Sequence, residues 1–173
     1  STPACSTKPA RRSSRWACRS RRWFITNPTR LSETVASDGS RPERLPLAEL
    51  LATSDIVSLH CPLNSSTENL IGEPELELMK DDALLINTAR GGLVDGDALV
   101  RALQGNRLGG AGIDVLRREP PVDGDPLLAE DIPNLIVTPH IAWAAREARQ
   151  RAVNEIAANI DSYLSGGRRC RIV

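Results

Sequence analysis

From Leu45 onward the chain alternates short runs of continuous apolar residues with stretches whose apolar positions recur every three or four residues. Before Leu45 neither pattern is found. Leu47, Leu50 and Leu51 share one helical face, and Asp55–His60 follows as a strand too continuously apolar to leave one face in water. Glu73–Met79 predicts a helix and Ala83–Asn87 a second buried strand. Asp95 suits the N-cap of a helix through Ala98, Leu99, Ala102 and Leu103, with Gly105 just past its end. Gly110–Val115 predicts a third strand, and Leu135–Val137, bounded by Pro133 and Pro139, a fourth. A long amphipathic helix from about Ala144 to Leu164 stops at Gly166 and Gly167. Apolar strands separated by helices imply a parallel sheet, here the α/β class with helices on both faces. The predicted unit is part of a doubly wound sheet spanning 45–173, with 1–44 an irregular basic segment.

Composition sharpens this division. The formal net charge of zero averages two unlike parts. Residues 1–44 hold ten Lys/Arg against three Asp/Glu, and residues 45–173 hold twelve against nineteen. A basic arm of this kind suits phosphates, with Trp16 and Trp23 available for stacking, or else a solvated, disordered tail. A third reading is translation out of frame. Tryptophan has one codon, TGG, so starting each new codon at the third base of the old one forces glycine at Trp16-Ala17 and valine at Trp23-Phe24. Residues 15–26 then read as a helix end, a glycine turn and a β-branched strand, which is the reading favoured for this stretch. Nucleic acid is accordingly not expected as a partner.

Aromatics make up only 3% of the chain, so the core must be aliphatic. No apolar run approaches the ~18–20 residues of a membrane span, no leader resembles a signal peptide, and no membrane partner is expected. Cys5, Cys18, Cys61 and Cys170 form no CxxC pair and have no histidines at zinc-ligand spacing. A reduced, cytoplasmic chain without a metal site is the simplest expectation.

In doubly wound sheets, ligands sit beyond the carboxyl ends of the strands. Four loops leave those ends: Cys61–Thr67, Thr88–Gly92, Asp114–Glu119 and Thr138–His140. Each carries polar groups after an apolar strand. Arg90, before two glycines, offers a five-donor fork suited to a carboxylate. Taken singly it is as well read as a surface salt-bridge arginine. Likewise His140 alone reads as structural, Glu119 as part of a solvated loop and Asp114 as an N-cap. Together they describe a reaction: an arginine holds a small carboxylate, a histidine exchanges a proton with the adjacent hydroxyl or carbonyl, and a glutamate orients the imidazole. With a nicotinamide exchanging hydride, this is oxidation of a 2-hydroxy acid or reduction of a 2-keto acid.

The segments Asn87-Thr88-Ala89-Arg90-Gly91-Gly92-Leu93-Val94-Asp95, Gly110-Ala111-Gly112-Ile113-Asp114-Val115, Glu119-Pro120 and Asn134-Leu135-Ile136-Val137-Thr138-Pro139-His140-Ile141 resemble the D-isomer-specific 2-hydroxyacid dehydrogenases. His140–Ala144 with Arg146-Glu147-Ala148 is most similar to the glycerate dehydrogenase, or hydroxypyruvate reductase, branch. The resemblance implies a Rossmann-type fold, NAD as cofactor with NADP an alternative, and glycerate/hydroxypyruvate or glyoxylate as substrate. It also implies a homodimer for the full-length family member. Arg90 would bind the substrate carboxylate and carbonyl and stand against the cofactor, His140 would be the acid/base beside the nicotinamide, and Glu119 its partner. Cys61, Pro62 and Thr67 would line the cofactor's ribose and phosphate side. Thr88 and Ala89 would meet the cofactor through backbone, Asp114 would meet the nicotinamide carboxamide, and Ala142 would stand near the ring. The family's GxGxxG phosphate loop does not occur in these 173 residues, and neither the acidic ribose-binding residue nor the substrate domain is recognisable. The resemblance therefore covers the C-terminal part of a cofactor domain, and activity of this chain by itself is not expected. A nucleotide-sensing corepressor-like binding module is the alternative from a different class.

Overall fold

In the computed structural model, the described residues are 23–25 and 45–170. They form five parallel strands in sequential order: β1 (Trp23–Ile25), β2 (Ile56–Leu59), β3 (Leu84–Asn87), β4 (Gly110–Ile113) and β5 (Leu135–Val137). The predicted strands are present, three of them shortened and Leu135–Val137 with the bounds expected. β1 falls inside the 1–44 segment and pairs Trp23 with Ile56, Phe24 with Val57 and Ile25 with Ser58. An edge strand adds by backbone hydrogen bonds, so its pairing asks little of the side-chain pattern. The rest of 1–44, which the sequence reading expects to be irregular or out of frame, lies outside the described residues.

Helices α1 (Leu47–Thr53), α2 (Glu73–Leu78) and α3 (Gly96–Gln104) pack side by side on one face of the sheet. Asp95 caps α3, its Oδ1 accepting from the Ala98 N–H at 3.1 Å, and Gly105 follows the last turn, as the sequence predicts. Between this helical layer and the sheet lie Leu51, Val57, Leu59, Leu85, Leu99 and Leu103, all essentially without solvent contact. Each such side chain contributes roughly 1.5–3 kcal/mol by leaving water. Aliphatic volume alone fills this core.

The expectation of helices on both faces is met on one face only among the described residues. The strand register places Ser58, Ile86, Gly112 and Ile136 on the other face, and Ile136 is 68% exposed. The long helix α4 (Arg146–Leu164) forms as predicted but keeps no residue buried. The topology supplies the reason. Sequential strand order with right-handed crossovers places every connecting helix on the same side. No described helix is long and apolar enough to cross a membrane.

Candidate active site

The carboxyl ends of β2 to β5 bring the four polar loops to one edge of the sheet. The loop after β2 is closed by its own side chains. Asn64 Oδ1 accepts from the Ser66 N–H at 2.9 Å, and Thr67 Oγ1 accepts from the Asn64 N–H at 2.9 Å while donating to the Pro62 carbonyl at 2.7 Å. Pro62 is exposed, but the Cys61 side chain is buried in the core, so Cys61 offers a ligand only its backbone.

After β3, Asn87 shapes the next loop, although no motif reading singled it out for a role of its own. Its fully buried amide accepts from the Ala89 N–H at 3.0 Å and donates to the Arg90 carbonyl at 3.0 Å. Asparagine at a strand end, followed by a turn, is the available signal for such a contact. Thr88 and Arg90 are exposed, and Ala89 half-buried. Gly91 then lies against the backbone after β4. A Cβ added there would overlap the Leu116 carbonyl, so glycine alone allows the Arg90 loop and the Glu119 loop to touch. Arg117 adds a second tie between loops, donating to Glu68 at 2.6 Å and Asn69 at 2.9 Å.

The loops after β4 and β5 build the central pair. His140 Nδ1 lies 2.6 Å from Glu119 Oε2, and Glu119 Oε1 accepts from the Leu116 N–H at 2.8 Å. A carboxylate so placed assigns the ring proton to Nδ1, leaving Nε2 to exchange a proton with a ligand. The hydrogen bond from His140 holds the Glu119 carboxyl below the usual range, against the opposing effect of burial, with help from the Leu116 amide. Asp114 does not cap a helix. It is 3% exposed, and its oxygens accept from Thr138 Oγ1 at 2.5 Å, the Ile141 N–H at 2.9 Å and the Ala142 N–H at 2.9 Å. Burial alone would push its carboxyl up; those three donors and the nearby His140 together bring it below its ordinary value.

Asp114, Glu119, Thr138 and His140 line a cleft of about 550 Å³ whose remaining wall is apolar, from Leu116, Leu128 and Val137 among others. Arg90 is not among the lining residues, and its Nη1 donates to the Ala89 carbonyl at 2.7 Å. The structure therefore joins His140 and Glu119 as predicted, with Asp114 behind them, and sets Arg90 on the neighbouring loop. Ala142 is exposed, its N–H held by Asp114 Oδ2 at 2.9 Å.

The lowered Glu119 value has a consequence for stability. A carboxyl whose folded value lies below its unfolded one stabilises the fold above the unfolded value, and that contribution is lost as the pH falls through the folded value. The thermal midpoint should therefore drop as the pH falls below the ordinary value of 4.5, and the drop should be shallower in Glu119→Gln. Circular dichroism melts across that range test this. Parallel acid limbs in the two proteins would contradict the assigned bonds.

An acid–base pair in a cleft at the carboxyl edge of a parallel sheet stands where such sheets bind their ligands. Comparison with known proteins is more specific. Residues 13–142 match the family model described as D-isomer specific 2-hydroxyacid dehydrogenase, NAD binding domain. The chain is 50% identical over 120 residues to a glycerate dehydrogenase of Methylorubrum extorquens, covering 69% of this chain and 38% of that protein. It is 44% identical over 124 residues to a glyoxylate reductase of Korarchaeum cryptofilum, covering 72% and 37%. Among solved structures, a D-isomer specific 2-hydroxyacid dehydrogenase of Lactobacillus delbrueckii ssp. bulgaricus in its NAD complexed form matches with a TM-score of 0.62 and 39% identity, over 73% of this chain and 41% of that one. The chain belongs to the D-isomer specific 2-hydroxyacid dehydrogenase family and to its NAD-binding domain. It spans about two fifths of the length of these relatives. They are dehydrogenases and reductases, and they lend the corepressor reading no support.

Proposed function

We propose that this chain is the catalytic-residue-bearing part of an NAD-dependent dehydrogenase for a small 2-hydroxy acid, of the glycerate/hydroxypyruvate or glyoxylate class. The observation that carries the reading is the 2.6 Å contact of His140 with Glu119 in the cleft at the strand ends. The residues present fit the nicotinamide end of the cofactor: the cleft combines an apolar wall with a free imidazole nitrogen and an exposed polar rim. NAD, when bound, supplies or accepts the hydride.

The remaining chemistry belongs to side chains. Nε2 of His140 gives a proton to the carbonyl oxygen during reduction and takes it from the hydroxyl during oxidation. Glu119 keeps the ring in one tautomer and stabilises it while it carries two protons. Arg90, on the adjoining loop, turns its fork from the Ala89 carbonyl to the substrate carboxylate and carbonyl. Pro62, Thr67, Thr88 and the backbones of Cys61 and Ala89 border the rest of the cofactor, and Ala142 stands beside the ring. Asp114 Oδ1 takes two donors and Oδ2 one, so Oδ2 keeps a lone pair with which to meet the carboxamide. The whole enzyme acts as a homodimer in the cytoplasm, without nucleic-acid or membrane partners.

A chimera tests this reading. Residues 45–164 of this chain would replace the corresponding part of the Methylorubrum extorquens glycerate dehydrogenase, which supplies the remaining segments. The chimera should oxidise NADH in the presence of hydroxypyruvate or glyoxylate, followed by absorbance. A folded chimera that binds NADH but reduces neither acid would reject the proposed substrate class.

A further inference from the structure

His140 sits at φ +54°, in the left-handed region that residues with a Cβ occupy sparsely. Much of what holds it there comes from one residue. The Asp114 carbonyl accepts from the His140 N–H at 2.9 Å, and the Asp114 carboxylate takes up the Thr138 hydroxyl and the Ile141 and Ala142 amides. Between Thr138 and Ala142 the unattached residue is Pro139, which has no N–H to give. Further supports are the Thr138 carbonyl, which shares the His140 N–H at 3.0 Å, the Thr138 N–H, which donates to the Ile113 carbonyl at 2.9 Å, and the Trp143 indole, donating to the His140 carbonyl at 2.8 Å from a side chain that is 61% exposed. A bond in contact with water is readily exchanged for one to water.

Taking His140 to be the acid/base group proposed above, we infer that Asp114 is a positioning residue: its buried carboxylate clamps the 138–142 loop in the left-handed turn that aims the His140 ring at Glu119. A carboxylate is suited to this because both oxygens accept and neither donates. An asparagine in its place would be nearly the same size, yet its NH₂ would face the Ile141 or the Ala142 N–H, each of which needs an acceptor. Asp114→Asn therefore changes the clamp with little change in volume.

The experiment uses the 173-residue chain, isotopically labelled, without nucleotide or substrate. In Asp114→Asn, hydrogen exchange at the Ile141 and Ala142 amides should quicken by roughly tenfold or more. Exchange at Leu85 and Ile86 in β3, which reports global opening, should change far less. The Glu119 carboxyl, followed by its carbon shift, should titrate closer to its ordinary value of 4.5 as the His140 bond is lost. Thr138→Val removes one of the three donors and should move both readouts the same way by a smaller amount. It decides the matter if the asparagine variant does not fold. Unchanged exchange at Ile141 and Ala142, equal acceleration in β3, or an unmoved Glu119 titration would overturn the inference. None of these readouts depends on turnover, so they are separable from the proposed activity.

Discussion

His140→Ala in the chimeric enzyme is expected to lower kcat/KM for hydroxypyruvate by about 10²–10⁴-fold, the usual worth of a positioned proton donor. The effect should fall mainly on kcat. Alanine removes the group that meets the developing negative charge on the substrate oxygen, and water in its place is neither held nor matched in acidity. The partner residue separates the roles further. Glu119→Gln leaves Nε2 in place but takes away the charge that stabilises the doubly protonated ring, so its loss should be smaller than that of His140→Ala. Arg90→Ala should behave differently again. A guanidinium that grips the carboxylate in ground and transition state alike contributes to binding, so KM should rise, with a loss of kcat/KM of roughly 10–100-fold from two charge-assisted hydrogen bonds. Steady-state kinetics on the three variants, each checked for NADH affinity, separates these outcomes. His140→Ala retaining kcat within about threefold of the parent would remove His140 from the chemistry.

The sheet was legible because its strands are apolar at nearly every position, on the face under the helices and on the open face alike. Ile56-Val57 and Leu84-Leu85-Ile86 announce themselves without any help from the loops. The His140–Glu119 pair was legible for a related reason, since both stand in loops that leave the carboxyl ends of apolar strands. Other features rest on contacts across long stretches of sequence. Asp114 looks like a cap when only its neighbours are considered, but its donors lie 24 to 28 residues away. Gly91 owes its identity to Leu116, and Asn87 to the fold of the turn after it. The Arg90 side chain was expected in the cleft and instead satisfies its own loop, because a guanidinium takes the nearest acceptor it can reach. A strand near Trp23–Ile25 was read only in the shifted frame, since the unshifted residues there carry no apolar period and the pairing is made by backbone.

The 173-residue chain on its own is expected to bind NADH weakly and to show no detectable reduction of hydroxypyruvate or glyoxylate. Its loops carry the groups that react, but reaction requires both partners to be held in register. The sequence contains no GxGxxG turn to present backbone amides to the pyrophosphate, so most of the cofactor's charge is ungripped. On the substrate side, the cleft beside His140 is open to solvent, with His140, Glu119 and Arg90 all exposed. Water there weakens the hold of Arg90 on a carboxylate and competes for the proton on Nε2. Misplacement by ~1 Å can cost ~100-fold, and here both reactants are loosely held. The rate should therefore fall at least ~10³-fold below that of the chimera carrying the same catalytic residues. Absorbance assays on the two proteins at matched concentration, with NADH fluorescence to follow binding, make the comparison. Turnover by the short chain within about tenfold of the chimera would mean that these four loops, with no second wall, already hold cofactor and acid in a productive pose.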